Sequence, residues 1–120
     1  MIGFYPDVLG LLGLSDLFIQ PTLLELHSIT MLEAMSLGVP ALVSKGVGCN
    51  DDFLSHGKNG YLLDPKDPES WAAALRSLLA DPGEARRIGQ AGRELVESRC
   101  DIRKTAEKFE TLYAGILVGV

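Results

Sequence analysis

The sequence predicts an α/β fold: a Rossmann-like, doubly wound and mainly parallel sheet in one domain covering residues 1–120. Three observations support this prediction. Short apolar runs alternate with helical patterns, no linker or internal repeat divides the chain, and 47% hydrophobic with 22% charged residues is a globular composition. In such a sheet the ligand crevice lies at the carboxyl ends of the strands, so the loops that follow the strands form the candidate site.

Three segments are predicted to be strands. Residues 16–21 (DLFIQP) are an apolar run closed by proline, which is typical of a strand buried on both faces of a parallel sheet. Residues 40–44 (PALVS) form the next strand, followed by the glycine-bearing loop 45–48 and a helical turn over residues 51–54. An Asn-Gly turn then leads into the third strand, at residues 61–63.

Four helices are predicted between and after these strands. Ser28 is a good N-cap for a helix over residues 29–37, and Asp67 caps a helix over residues 68–79 that has proline at its first position. Two further helical patterns cover residues 84–98 and 102 to about 116. The last pattern has an apolar side that comprises Ile102, Ala106, Phe109, Leu112 and Tyr113.

The charge and the cysteines exclude several classes of partner and site. A net charge of -5 supplies no basic field for phosphodiester backbones, so no nucleic acid partner is expected. Cys49 and Cys100 stand far apart without CxxC or Cys/His spacing, which indicates neither a disulfide framework nor a metal site and favours a reducing cytoplasm. No stretch approaches the roughly 18 apolar residues of a membrane span, and a soluble protein is expected.

Two glutamates and a helix start point to a ligand site. Glu25 lies in the loop after the first predicted strand, and Glu33 lies inside the helix that follows. The backbone amides of Ser28, Ile29 and Thr30 are free donors at the positive end of that helix, which suits a phosphate. Glu33 can accept hydrogen bonds from ribose hydroxyls, so the group together predicts a site for a nucleoside diphosphate.

A purely structural interpretation of Glu33 stays open. Apolar residues occupy most other directions around the helix, which predicts a largely buried helix with one carboxylate in its surface. Thr30 precedes Glu33 by three positions, the spacing of a capping box. Without the neighbouring sequence, Glu33 favours such a cap, or a solvated position at an edge.

The sequence around these residues resembles the signature of glycosyltransferase family 4. The resemblance is carried by residues 16–22 (DLFIQPT), by Glu25, and by residues 32–40 (LEAMSLGVP). It extends from Gly3 through residues 58–65 to the end of the last helix near Tyr113. It therefore covers nearly the whole chain.

The resemblance implies a fold, a donor substrate and residue roles. It implies the carboxyl-terminal donor-binding domain of a retaining, hexosyl-type glycosyltransferase of the GT-B fold, with a nucleoside-diphosphate sugar as donor and with no metal or other cofactor. Glu25 would contact the hydroxyls of the donor sugar as the catalytic residue, and Glu33 would contact the ribose. The amides of Ser28, Ile29 and Thr30 would approach the sugar or the diphosphate.

The chain departs from the family pattern after the first glutamate. The usual Gly-Phe-Gly is replaced here by Leu26-His27-Ser28, which removes two glycines that permit a close backbone approach. His27 is a candidate donor to the sugar or diphosphate, although a single histidine beside an apolar helix is more often a packing residue. The loop of residues 45–48 is a secondary candidate for the rim of the site.

Full-length relatives have parts that this sequence does not match. They carry an amino-terminal acceptor domain, and an upstream Arg and Lys that neutralise the diphosphate leaving group. We therefore expect a partial domain that is inactive without its upstream half, with that acceptor domain or a partner chain as a partner besides the nucleotide sugar. A homodimer, and a peripheral membrane association of the full-length enzyme, stay open as further interactions.

Two other functions remain open. The first is a non-catalytic binding or assembly module, or a split subunit, for which an exposed sheet edge would favour dimers. The second is a nucleotide-sugar epimerase-like domain of the same fold. The sequence around Glu25 and Glu33 resembles transferases more closely than epimerases.

Overall fold

The computed structural model describes residues 3–119, which form three strands and six helices. The strands are β1 (Phe18–Gln20), β2 (Ala41–Ser44) and β3 (Tyr61–Leu63). The helices are α1 (Val8–Gly13), α2 (Ile29–Ser36), α3 (Asn50–Phe53), α4 (Pro68–Ala80), α5 (Pro82–Arg99) and α6 (Ile102–Val118). The predicted strands and helices are all present, with bounds that shift by a few residues.

The three strands form one parallel sheet in the order β1-β2-β3. Ile19 lies opposite Leu42 in the first pair, and Val43 lies opposite Leu62 in the second. All four residues of the central strand β2 are buried, because it has a neighbour on each side and helices above and below. The predicted α/β class with a mainly parallel sheet is confirmed.

Helices cover both faces of the sheet, as a doubly wound fold requires. On one face α2 and α5 pack over Ala41 and Val43, with Met35 of α2 in the contact. On the other face α4 packs over Leu42, with Trp71 in the contact. Successive side chains of a strand point to opposite faces, so the four-residue β2 supplies the centre of both cores.

The expectation that the first strand is buried on both faces is wrong. Ile19 is 48% exposed, although its partner Leu42 in β2 is fully buried. Both side chains belong to the same face, but β1 lies at the edge of the described sheet and α4 leaves Ile19 partly open. Phe18, on the opposite face, is half-buried against the core.

Helix α1 was not predicted from the sequence. Its N-cap is Asp7, whose carboxylate accepts a hydrogen bond from the Gly10 N–H at 2.9 Å. Leu12 is its buried residue and packs with Ala34 and Val39. The helix is short and contains two glycines, so this tertiary contact is what its stability rests on.

Helix α6 has no buried residue. The apolar side predicted for it is present but exposed, with Phe109 at 52% and Tyr113 at 59% and their rings stacked 6.2 Å apart. The protein is accordingly elongated, with a longest dimension of 58 Å. No helix within residues 3–119 is both long and apolar enough to cross a membrane.

Candidate functional site

The candidate site lies where the three parallel strands end. The register places Ser44 of β2 opposite Leu63 of β3, and Val43 opposite Gln20 of β1. Lys45, the first residue beyond β2, donates its N–H to the Leu63 carbonyl at 2.8 Å. We call this carboxyl-terminal edge of the sheet the rim.

Glu25 is held at the rim by two hydrogen bonds. The side-chain amide of Gln20, the last residue of β1, donates to Oε2 at 3.2 Å. The backbone N–H of Leu26 donates to Oε1 at 2.9 Å. Each carboxylate oxygen therefore has one protein donor and keeps further acceptor capacity, and the residue as a whole is half-buried.

The glycine loop of residues 45–48 lies directly against the Glu25 loop. The Cys49 N–H donates to the Leu26 carbonyl at 3.1 Å. Gly48 has a φ of +55°, and a Cβ there would lie 2.5 Å from the carbonyl oxygen of Glu25. This loop therefore helps to position Glu25.

The start of α2 provides donors at the same edge. Ser28 is buried, and its hydroxyl accepts a hydrogen bond from the Met31 N–H at 3.1 Å, which confirms it as the N-cap. Among residues 3–119 the backbone amides of Ser28, Ile29 and Thr30 have no acceptor. Ile29 and Thr30 are exposed, so these donors stand at the positive end of an open helix terminus.

The capping box between Thr30 and Glu33 is not formed. Ser28 occupies the cap, so the third helical position, where the glutamate of a capping box belongs, holds Met31. Glu33 lies two residues further into the helix. Its carboxylate makes no hydrogen bond or salt bridge to another group in residues 3–119.

Glu33 faces the open side of α2, and the expectation of a largely buried helix is wrong on that side. Ile29 is 67% exposed and Leu37 is 42% exposed, one turn before and one turn after Glu33. The buried side of the helix consists of Met31, Ala34 and Met35, which pack against the sheet, α1 and α5. The half-buried Glu33 carboxylate is therefore accessible to a ligand.

His27 lies at the surface beside an aromatic ring. Its ring centroid is 5.4 Å from that of Phe53, at an interplanar angle of 56°. The Arg99 guanidinium covers the same ring, with its carbon 5.2 Å from the ring centroid. The packing role is thus visible, and the exposure of His27 leaves its nitrogens available to a ligand.

The absence of the family's glycines does not strain the loop after Glu25. Within residues 3–119 no residue other than glycine has a positive φ, so Leu26 and Ser28 occupy ordinary backbone regions. The side chain of Leu26 is 80% exposed and points away from the core. Leucine at position 26 and serine at position 28 therefore leave the loop backbone undistorted.

Among residues 3–119, three buried polar atoms near the ends of β1 and β2 have no hydrogen-bond partner: Gln20 Oε1, Thr22 Oγ1 and Asn50 Oδ1. The other end of Asn50 is satisfied, because Nδ2 donates to the Ser44 carbonyl at 2.9 Å. Ser44 Oγ in turn donates to the Gln20 carbonyl at 3.4 Å. The sequence analysis missed Gln20 and Asn50; for Gln20 the available signal was a polar residue at the end of an apolar strand, and Asn50, at the start of α3, had no comparable signal.

Other polar features lie away from the rim. A cleft of about 300 Å³ opens at the opposite, amino-terminal edge of the sheet, between Asp16, Pro40 and Arg86. Arg87 on α5 donates a hydrogen bond to Glu84, which lowers the pKa of that carboxyl group. Across the described range no three His, Cys, Asp or Glu side chains are grouped as metal ligands.

Comparison with known proteins identifies similar chains. Residues 1–95 match the family described as glycosyl transferases group 1. The chain is similar to N-acetyl-alpha-D-glucosaminyl L-malate synthase of Bacillus anthracis, with 32% identity over 116 residues, 97% of this chain and 30% of that protein. The chain thus spans about a third or less of such relatives.

Solved structures share the fold. Sucrose-phosphate synthase from Thermosynechococcus elongatus superposes with a TM-score of 0.78 at 28% identity, over 88% of this chain and 26% of that one. The Anabaena protein HepE, crystallised in complex with UDP, superposes with a TM-score of 0.86 at 24% identity, over 94% of this chain and 31% of that one. HepE has also been crystallised with UDP-glucose.

Proposed function

Because this chain belongs to the group 1 glycosyl transferases, we propose that it binds a nucleoside-diphosphate sugar at the rim, as the donor-binding part of a retaining GT-B enzyme. The observation that carries the proposal is that Glu25 and the free amides at the start of α2 lie at the rim, with Glu33 on the exposed side of α2 about one turn further along the helix. The binding of UDP and of UDP-glucose by HepE, a protein of the same fold, agrees with this class of ligand.

The spacing along α2 suits the parts of a nucleotide. Ile29 and Glu33 are four residues apart, which corresponds to about 6 Å along the helix axis, or roughly one turn. A diphosphate at the amides of Ser28, Ile29 and Thr30 would therefore have its ribose about one turn away, where Glu33 can accept from the two hydroxyls. Each hydrogen bond would involve a charged partner, the stronger class of such bonds.

Glu25 is proposed to contact the donor sugar. It lies in the loop between the end of β1 and the start of α2, so a sugar attached to the diphosphate would meet its carboxylate. In the transfer, the bond from the anomeric carbon to the phosphate oxygen breaks, a bond to the acceptor oxygen forms, and the acceptor loses a proton. Donors aimed at the departing diphosphate would lower the barrier by stabilising its charge.

We do not expect residues 1–120 to transfer a sugar on their own. The chain spans 30% of its Bacillus anthracis relative, so the acceptor site and the cations expected around the diphosphate would come from elsewhere in a longer enzyme or a partner chain. Lys45 is the basic residue that directly follows β2 at the rim. We propose donor binding without turnover, no requirement for a metal or other cofactor, and a saccharide or lipid acceptor.

A role in assembly is a second candidate, and the exposed apolar residues favour it. Leu23 and Leu24 in the Glu25 loop are 70% and 85% exposed, and Leu112 and Ile116 on α6 are each 55% exposed. Apolar surface of this kind is commonly covered by another domain or subunit. The two candidates are compatible, since a donor domain must also associate with its acceptor domain.

A cytoplasmic location is proposed from the cysteines. Cys49 and Cys100 are both free thiols in the described chain, and Cys100 is exposed. Exposed free thiols persist in reducing compartments.

Titration calorimetry with the 120-residue chain tests the proposal. UDP, ADP and GDP and their glucose derivatives are titrated with and without magnesium. We expect saturable binding of at least one nucleotide and its glucose derivative. The binding should be weaker in Glu33→Gln and unchanged in Glu110→Gln, a control variant on the exposed α6. No binding of any nucleotide or nucleotide sugar would contradict the donor-binding function.

A further inference from the structure

Gln20 is a polar residue at the end of an otherwise apolar strand, and its side chain is committed to Glu25. Its Nε2 donates to Glu25 Oε2 at 3.2 Å. The opposite oxygen of the carboxylate accepts from the Leu26 N–H at 2.9 Å. The next residue in the sequence, Leu26, therefore holds Oε1 of Glu25. Gln20, at the end of a strand of the sheet, holds Oε2.

We propose that Gln20 is a positioning residue for Glu25. It holds the carboxylate in the one orientation that leaves its remaining lone pairs directed out of the loop, toward the sugar of a bound donor. This inference rests on the proposed function, in which Glu25 contacts that sugar. Gln20 itself touches no reacting atom.

The orientation of the Gln20 amide supports this role. A carboxylate only accepts hydrogen bonds, so Nε2 must face Glu25, and Oε1 is left buried without a partner among residues 3–119. An unpaired buried acceptor is unfavourable, and an apolar side chain of similar volume would avoid it. What a glutamine at position 20 provides, and an apolar side chain would not, is the hydrogen bond to Glu25.

The backbone of Gln20 is fixed independently of Glu25. Gln20 pairs with Val43 in the parallel sheet, and its carbonyl accepts a hydrogen bond from Ser44 Oγ at 3.4 Å. The Ser44 carbonyl in turn accepts from the buried Asn50 side chain at 2.9 Å. Gln20 thus connects Glu25, which lies in a loop, to the sheet. Functional groups supported by strands or helices are held more precisely than groups supported by loops alone.

The test compares two ligands that differ only in the sugar. Calorimetry with UDP and UDP-glucose is run on the parent chain and on Gln20→Met, which keeps the length of the side chain and removes the donor. Gln20→Met is expected to weaken UDP-glucose binding roughly tenfold, the loss typical of one hydrogen bond to a charged group, and to leave UDP binding within about twofold. If Gln20 only stabilised the structure, Gln20→Met would weaken the binding of UDP and of UDP-glucose equally.

The chain offers a matched control for this substitution. Gln90 on α5 donates to Glu94 at 3.0 Å in the same kind of pair, but on an exposed helix surface. Gln90→Met should change the binding of neither ligand. Gln20→Glu, which places a second carboxylate beside Glu25, should reproduce the selective loss seen with Gln20→Met.

A second measurement needs no ligand. Hydrogen exchange of the Leu26 amide, whose acceptor is Glu25 Oε1, reports how firmly the carboxylate is held. Exchange at Leu26 should accelerate at least severalfold in Gln20→Met and not in Gln90→Met, while the amides of β2 exchange as in the parent. Unchanged exchange at Leu26 would overturn the positioning role.

The outcomes separate this inference from the proposed function. If Glu25→Gln weakens UDP-glucose binding and Gln20→Met does not, the positioning role is refuted and the donor site stands. If Glu25→Gln also has no effect, the contact between Glu25 and the sugar is refuted, and the inference is refuted with it. Equal weakening of UDP and UDP-glucose in Gln20→Met would reduce Gln20 to a structural residue.

Discussion

Gly48 lies against the carbonyl oxygen of Glu25, so closely that a Cβ at position 48 would be 2.5 Å from that oxygen. Its φ of +55° belongs to the left-handed region, which side chains other than glycine rarely adopt. The loop after β2 therefore reaches the loop after β1 only because residue 48 has no side chain. This contact joins two of the elements that form the candidate site.

Gly48→Ala is expected to destabilise the protein and to displace the Glu25 loop. The backbone strain costs roughly 1–2 kcal/mol, and the contact with the Glu25 carbonyl adds to it. Gly46→Ala is the matched control, because Gly46 has a φ of +69° and open space around its Cβ position. Urea unfolding measures both; equal losses in the two variants would show that the contact at position 48 costs nothing.

A second close approach sets the packing of α5. Gly89 of α5 faces the backbone of Gly38 at the end of α2, and a Cβ there would collide with the Gly38 carbonyl. Gly89→Ala should therefore lower the free energy of unfolding by roughly 1–3 kcal/mol or more, although alanine is the better helix former. Circular dichroism during thermal unfolding gives the comparison.

Gly115 in α6 is the control for that substitution. Nothing lies within 4 Å of its Cβ position, so Gly115→Ala has only the gain in helix propensity, up to about 1 kcal/mol. The two Gly→Ala changes should thus have opposite signs. A destabilising Gly115→Ala would indicate that α6 is packed in solution, against a second copy of the chain for example.

Much of the fold could be predicted because the decisive signals are local. Ser28 and Asp67 are N-caps in the structure as in the sequence, and the apolar run that contains Leu42 is the central strand. Each signal depends on the chemistry of a few neighbouring residues. Local signals also located the loop of Glu25 and the start of α2 at one edge of a parallel sheet.

The features that were missed depend on partners distant in the chain. Helix α1 has weak helical propensity and is stabilised by Leu12 in its contact with Ala34. Ile19 belongs to an apolar run that is typical of a buried strand. Its exposure in the structure depends on how far α4 extends across the sheet. A polar residue at the end of β1 is visible in the sequence, but the hydrogen bond from Gln20 to Glu25 is not, because it depends on the path of the loop between them.

Glu33 provides a prediction about the nucleotide. Glu33→Ala should weaken the binding of a nucleoside diphosphate by about 1–3 kcal/mol, the loss of a hydrogen bond to a charged group. The free energy of unfolding should change by no more than about 0.5 kcal/mol, since the carboxylate has no partner in residues 3–119. Calorimetry measures the affinity and urea unfolding the stability of the same samples. Equal affinities of Glu33→Ala and the parent for the nucleoside diphosphate would show that Glu33 does not bind the ribose.

The last prediction separates donor binding from catalysis. The 120-residue chain should show no sugar transfer above background with any nucleotide sugar, acceptor or magnesium concentration, because interactions with an acceptor and with the charge of the leaving group are needed to lower the barrier. Joined to the remainder of a longer enzyme, or mixed with a partner chain that supplies it, the donor site should become active. Glu25→Gln should then reduce kcat/KM by at least tenfold while the free energy of unfolding stays close to the parent value, because Glu25 lies in a loop and is half-buried rather than part of the core. Glu97→Gln, on the exposed surface of α5 beside Arg93, should leave kcat/KM unchanged. Turnover by the isolated chain would contradict the division of labour, whereas an active assembled enzyme indifferent to Glu25→Gln would leave the fold and the family standing and remove Glu25 from the reaction.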